Sequence, residues 1–214
     1  TREVVGLLTR HRQLTWEMAK REISDRYAGQ VFGVFWSIGH PLIQILVYIF
    51  IFQLVFKIRM GGTVEMPLDY TTYLLSGLIP WLAFSETMGR ASTAITSNAN
   101  LVKQVVFPIE ILPAKGVLSS LFTECVFFVL MVGYVLIAHH SLPWTYMLLP
   151  ILLLIQTLAM IGISYILSAV GVYFRDIKDF VQVFCAIGVF LMPIFYMPNQ
   201  VPGLLRPLLY LNPF

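Results

Sequence analysis

Polar and charged residues crowd the first 30 positions, and from there long apolar runs alternate with short polar breaks. Five apolar segments stand out, at 31–56, 70–96, 112–138, 144–174 and 180–197. Each is continuous rather than alternating, and each is close to or longer than the roughly 20 residues a helix needs to cross a bilayer. The pattern predicts an all-α polytopic membrane protein with five visible spans. It excludes a closed β-barrel, whose strands alternate apolar and polar positions. The first segment contains no Asp, Glu, Lys or Arg, whereas the second carries Glu86 and Arg90 and is the weakest. Lys115 and Glu124 interrupt the third, and Pro150 sits near the start of the fourth.

The breaks are unequal in character. Residues 1–28 mix Val4, Leu7, Leu8, Leu14 and Met18 with basic side chains. This predicts either a helix lying on an anionic membrane surface or a docking surface for a cytoplasmic partner, and the two are compatible. The stretch NANLVKQVVFPIEILPAK, residues 98–115, is neither short nor polar, as a loop between spans usually is. Leu101, Val102, Val105, Val106 and Ile109 form a stripe at helical spacing, with Asn100 as an N-cap and Pro108 and Pro113 ending the helix. A small amphipathic helix is expected over 98–110. Residues 173–180, YFRDIKDF, make a short polar turn, and AHHSLPW joins the third and fourth segments as a tight hairpin.

Charge sets the orientation. Placing the N-terminus in the cytoplasm puts 11 of the 14 Lys and Arg residues there, leaving Lys57, Arg59 and Arg206 outside. That bias is the signature of a cytoplasmic N-terminus. The polar breaks at 1–28, 98–110 and 173–180 then share the cytoplasmic side, which points to a partner on that side. Composition agrees with a membrane protein: 58% of the 214 residues are hydrophobic and only 12% charged, against about 25% charged in soluble domains. Mean hydropathy is +0.80. Cys125 and Cys185 both fall inside apolar runs and read as small buried hydrophobes. No cleavable signal peptide is visible, and the first run is long enough to serve as an uncleaved anchor. With no initiating Met and an end at LNPF, both termini read as clipped.

Candidate chemistry is sparse. There is no G-x-x-x-x-G-K-[ST] phosphate loop, so ATP is not bound here by that route. His139 and His140 are adjacent, point about 100° apart in a helix, and read as interfacial residues rather than a metal pair. No Ser/His/Asp or Cys/His set can be assembled from spacing. The ionisable residues within the spans say more, because an unpaired charge in hydrocarbon is expensive. Glu86 and Arg90 are spaced i, i+4 and can pair on one helix face, either fixing a helix end or relaying motion. Glu124 has no partner at i±3 or i±4, so it must face the bundle interior or be protonated, as a packing residue or as part of a pathway. Trp36, Trp81 and Trp144 are expected in an interfacial belt. The deeper aromatics, including Tyr48, Phe52, Phe190, Phe195 and Tyr196, either pack or line a path along which sugar rings could stack.

Five ordered stretches, RYAGQVFGVFWSIGHPL, YLLSGLIPWLAFSE, SNANLVKQVVFPIEILP, VYFRDIKDF and LMPIFYMP…LNPF, together resemble the permease subunit of type-2 ABC exporters. The likeness is greatest to those moving lipid-linked O-antigen, capsule or teichoic-acid polymers, and it covers essentially the whole chain. It implies that 98–110 is a coupling helix docking on a separate ATPase, through Leu101, Lys103, Val105, Phe107 and Glu110. Arg175 and Asp176 of the 173–180 turn would make a second contact. The resemblance further implies a homodimer with two ABC nucleotide-binding subunits, which hold ATP and Mg2+; no cofactor belongs to this chain. An undecaprenyl-linked polysaccharide would pass between the first and fifth spans, and nothing points to nucleic acid. Residues 198–214 would begin a re-entrant outer gate, with a sixth span beyond Phe214. The rival readings are the same architecture with a small lipo-oligosaccharide or drug as cargo, and an ion-driven secondary transporter.

Overall fold

A computed structural model of the chain describes residues 12–55, 68–104 and 108–196. The expectations for the first turns of the N-terminal helix, for Val105 and Phe107, and for the gate segment 198–214 lie outside the described residues. Among the described residues seven α-helices follow in order: α1 Arg12–Arg26, α2 Trp36–Ile49, α3 Tyr70–Ala91, α4 Ala99–Gln104, α5 Ile111–His139, α6 Leu149–Tyr173 and α7 Ile177–Leu191. No strand occurs among the described residues. A π-helical stretch, Phe50–Val55, prolongs α2, and a 3-10 turn, Trp144–Leu148, leads into α6.

The segment that reads as weakest in hydropathy is the hub of the bundle. Helix α3 contacts α2, α5, α6 and α7, and 13 of its 22 residues are buried. A helix enclosed by protein needs no uniformly greasy surface. It can carry Thr71, Thr72 and Thr87 inward, and Thr87 Oγ1 donates to the Ala83 carbonyl at 2.8 Å. Trp81 belongs to this core and not to an interfacial belt: it is only 3% exposed, with its ring against Gly188 of α7. The residues around α3 form two apolar clusters, one with Leu78, Trp81, Phe84, Met88 and Met160, the other with Ile45, Ile79, Phe127 and Met131.

The outer helices are apolar where they face away from this core. Ile111–His139 and Trp144–Tyr173 are long and apolar enough to cross a membrane, yet only 28% and 11% of their most apolar windows are buried. Soluble monomers do not expose apolar faces of this extent. The bundle is built for lipid or for apolar partners. Cys125 lies on such an exposed face of α5, contrary to its reading as a buried hydrophobe, while Cys185 is half-buried.

Helix ends follow local chemistry. Pro113 does not end the amphipathic stretch; it is the third residue of α5, where a helix has no use for the missing N–H. Helix α7 ends at Leu191 because Met192 precedes Pro193 and takes an extended conformation, as residues before proline do. Helix α3 ends at Ala91, and the hydroxyls of Ser92, Thr93, Thr96 and Ser97 then bond to backbone carbonyls three or four residues back. Such local bonds bend and loosen a helix, and here the chain passes through turns into α4. Asn100 sits inside α4 and does not cap it. His140, at φ 51, closes α5 in the left-handed conformation, the common way to end a helix.

Candidate functional site

One end of the bundle gathers the charges carried by α1, α3 and α5. Along α1, the side chains turned inward are Thr15, Ala19, Glu22 and Arg26, at helical spacing, while Leu14 and Trp16 are exposed. Helix α1 therefore docks on α5 through small and charged residues. The expected Glu86–Arg90 pair is present at 2.7 Å, but it is one part of a larger network. Arg90 also reaches Glu22 at 2.9 Å, Arg26 lies 2.9 Å from Glu86, and Lys115 approaches Glu22 at 3.2 Å, too obliquely for a hydrogen bond. The Ser119 hydroxyl accepts from both Arg26 and Arg90, at 3.2 and 3.3 Å. Three cations thus share two carboxylates, and α1 is bound to the ends of α3 and α5. Spacing along one helix cannot show the links between helices, Glu22 with Arg90 and Lys115 and Arg26 with Glu86, which arise only through the fold.

A cleft of about 240 Å³ lies between this network and the turn that leads to α4, lined by Glu22, Arg90, Lys115, Ser97 and Asn98 among others. Leu101, Glu110, Arg175 and Asp176 are not among the residues that line it. Leu101 on α4 is 38% exposed. Lys103 is carried by the same helix. Glu110 immediately precedes α5 and is exposed, its carbonyl accepting from the Tyr165 hydroxyl at 2.9 Å. Arg175 and Asp176 form the exposed turn between α6 and α7, and the Asp176 carbonyl accepts from the amides of Asp179 and Phe180.

Glu124 faces the bundle interior, 1% exposed, with one oxygen lacking a hydrogen-bond partner. Gln156 of α6 is the polar neighbour that the one-dimensional spacing could not show. The five aromatic path candidates separate into two groups. Tyr48 and Phe52 stack at 6.4 Å and pack on the core, joined by Tyr70 and Tyr73 of α3. Phe190 is 68% exposed and stacks on Phe195 at 5.7 Å. The two groups are tied by hydroxyls: Tyr70 donates to the Phe195 carbonyl at 2.8 Å, and Tyr73 donates to the carbonyls of Pro193 at 2.7 Å and Tyr196 at 3.2 Å. Tyr70 and Tyr73 were not among the sequence candidates, although their i, i+3 spacing at the start of a span puts both hydroxyls on one face.

The opposite end of the bundle has its own polar knot. Asp69 caps α3 by accepting from the Thr72 amide at 3.4 Å and from the Thr72 hydroxyl. It also accepts from the Tyr134 hydroxyl and pairs with His139 Nε2 at 3.0 Å. Burial pushes this carboxyl up, but the hydrogen bonds from Thr72, Tyr134 and His139 outweigh it and hold the group below the usual 3.8. His139 is thus tied to the N-terminus of α3 through Asp69. Among the described residues no group of three or more His, Cys, Asp or Glu could hold a metal. Sequence reading did not single out Asp69, although an Asp just before a helical run is an N-cap signal; its partners 65 and 70 positions away carry no such signal. An apolar cavity of about 400 Å³ runs from Asp69 toward Gln156 between α3, α5 and α6, and none of the five path candidates lines it.

Comparison with known proteins adds the biological context. Residues 13–214 match the family described as ABC-2 type transporter. The chain is 30% identical over 198 residues to an O-antigen export system permease protein RfbA of Klebsiella pneumoniae, covering 92% of this chain and 73% of that one. It is 30% identical over 197 residues to the RfbA permease of Myxococcus xanthus, covering 90% and 72%. The polysialic acid transport protein KpsM of Escherichia coli is 24% identical over 194 residues, covering 90% and 73%.

Proposed function

Because the chain belongs to the ABC-2 type transporter family, we propose that it is the channel-forming membrane subunit of an ATP-driven exporter of lipid-linked polysaccharide. The observation that carries the cargo is its similarity, along nine-tenths of its length, to permease and transport proteins for O-antigen and polysialic acid. It is an integral membrane protein, multi-pass in the bacterial inner membrane, and its N-terminus is cytoplasmic. The convergence of Arg26, Arg90 and Lys115 at one end of the bundle supports that orientation, since basic residues collect on the cytoplasmic side.

In this reading two copies of the chain enclose the path and two copies of an ABC nucleotide-binding subunit sit beneath them. ATP and Mg2+ are held by that subunit, and this chain supplies no catalysis. The ATPase docks against the segment over 98–110 through Leu101, Lys103, Val105, Phe107 and Glu110, and against Arg175 and Asp176. An undecaprenyl-linked glycan many sugars long cannot be enclosed in one cavity. A continuous channel with stepwise, ATP-driven movement therefore fits the cargo better than alternating access. The exposed apolar faces of α2 and α7, carrying Ile38, Leu42, Leu46, Val183, Ile187 and Phe190, support a second copy packing there.

The test is to recover the tagged protein from its native membrane and label the bound material with a photoreactive ATP analogue. A labelled partner in equal amount is expected, and it should be lost when Leu101 and Val105 are both changed to Asp. Deleting the chain should leave a long undecaprenyl-linked glycan in the cytoplasm. Recovery without any ATP-binding partner would overturn the proposal, and accumulation of a short lipo-oligosaccharide would replace the cargo.

A further inference from the structure

In sequence, the segment that carries α4 joins the end of α3 at Ser92 to the start of α5 at Glu110, and α6 contacts both of these flanks. Where α3 ends, Gly171 of α6 lies so close to the Ser92 carbonyl that a Cβ on the glycine would stand 2.1 Å from its oxygen. Where α5 begins, the Tyr165 hydroxyl of α6 donates to the Glu110 carbonyl at 2.9 Å. The two residues are six apart, about 9 Å along the helix, and they turn toward different neighbours, so α6 is wedged between the two flanks. The same Gly171 position also meets the start of α7, since its Cβ would lie 3.5 Å from Ile177 Cγ2.

These contacts are stiff. At Gly171 backbone meets backbone with no side chain to yield, and packed interiors transmit displacement rather than absorb it. The Tyr165 bond is made to a main-chain carbonyl, so it follows the position of the chain and not of a rotamer. The ion-pair network binds the other side of the same flanks, at Arg90 and Lys115, to α1. Displacement of the segment therefore has α6 directly in its way.

We propose that α6 receives the movement of the α4-bearing segment and hands it to α7, and that Gly171 and Tyr165 are positioning residues for export. Neither touches ATP or glycan; each fixes where the segment stands relative to the helix that precedes α7. This inference rests on the reading of α4 as the ATPase-docking element.

The experiment uses the full-length permease purified with its ATPase partner, comparing wild type with Gly171→Ala and Tyr165→Phe. Measured together are partner stoichiometry, ATP hydrolysis, surface polymer in cells, and ATP-dependent hydrogen exchange in 92–104 and in α7. Gly171→Ala is expected to keep the partner and hydrolyse ATP while export falls at least about tenfold. ATP should still alter exchange in 92–104 but no longer in α7. Tyr165→Phe, which removes one hydroxyl and leaves the ring, is expected to show the same separation with a few-fold loss. A purely structural role would lower yield, hydrolysis and export together and leave the ATP response of α7 intact in the surviving complex, which would overturn the proposal. Export and exchange equal to wild type in both variants would overturn it as well. If Gly171→Ala yields no folded complex, Tyr165→Phe decides alone. A wild-type preparation that holds no ATPase at all would instead refute the docking reading on which this inference stands.

Discussion

Replacing Glu22 by Gln keeps the shape of the side chain and removes its charge from the network that holds α1 to the bundle. The loss has two parts. The first is the hydrogen bond from Arg90 at 2.9 Å, and bonds to charged groups are worth about 1.5–3 kcal/mol. Arg90 itself is not stranded, because Glu86 still accepts from it at 2.7 Å. The second part is Lys115, which loses Glu22 as its ion-pair partner while its side chain is only 15% exposed. Breaking a fully buried pair costs about 3–5 kcal/mol and an exposed one about 0–1 kcal/mol. With side chains 15–29% exposed, the combined cost falls between, at about 2–3 kcal/mol. For a chain of this size that corresponds to a Tm lower by about 4–12 °C. Thermal unfolding of the purified protein, with hydrogen exchange across α1, measures both the loss and its location. Adding Lys115→Met removes the stranded ammonium and should restore about 1 kcal/mol or more. A fall in Tm of less than about 2 °C, or strictly additive effects in the double variant, would refute the account. Helix α1 would then be held by Arg26, through Glu86 and Ser119, and by the packing of Thr15 and Ala19.

Two further predictions concern the other contacts that set the bundle. Asp69→Asn retains a good N-cap residue but weakens the bonds from Tyr134 and His139, so it should cost about 1–2 kcal/mol at neutral pH. Because the native carboxyl is held below 3.8, the unfolded chain takes up the proton first on acidification. The advantage of Asp over Asn is present above about pH 4 and vanishes as pH falls through the depressed value; a gap that persists at lower pH would contradict this. Gly188→Ala would place a Cβ 2.6 Å from two atoms of the buried Trp81 ring, and overpacking of this kind costs about 1–3 kcal/mol, against a gain of about 1 kcal/mol in helix propensity. A lowered Tm, partly recovered by Trp81→Phe, is expected, whereas a raised Tm would show that the ring yields freely.

Apolar runs made the membrane character and the all-helical class legible from the order of residues alone. Those features depend on local composition: continuous apolar stretches of about bilayer length separated by short polar breaks. The same local reasoning recovered Glu86–Arg90, because residues four apart on a helix must be neighbours. It ranked α3 as the weakest span, since hydropathy measures affinity for lipid and cannot register that a helix is enclosed by other helices. It also placed Trp81 in an interfacial belt, because only packing decides that a ring in the outer half of a segment turns inward against Gly188. Contacts between distant positions were beyond it altogether. Glu22 with Arg90 and Lys115, Asp69 with Tyr134 and His139, Tyr70 with Phe195, and α6 with both flanks of the α4-bearing segment exist because helices pack at particular rotations and depths. Rotation and depth are set by the sum of many side-chain contacts between helices, which no single stretch of sequence carries, and so the tertiary structure alone decided which polar groups would meet.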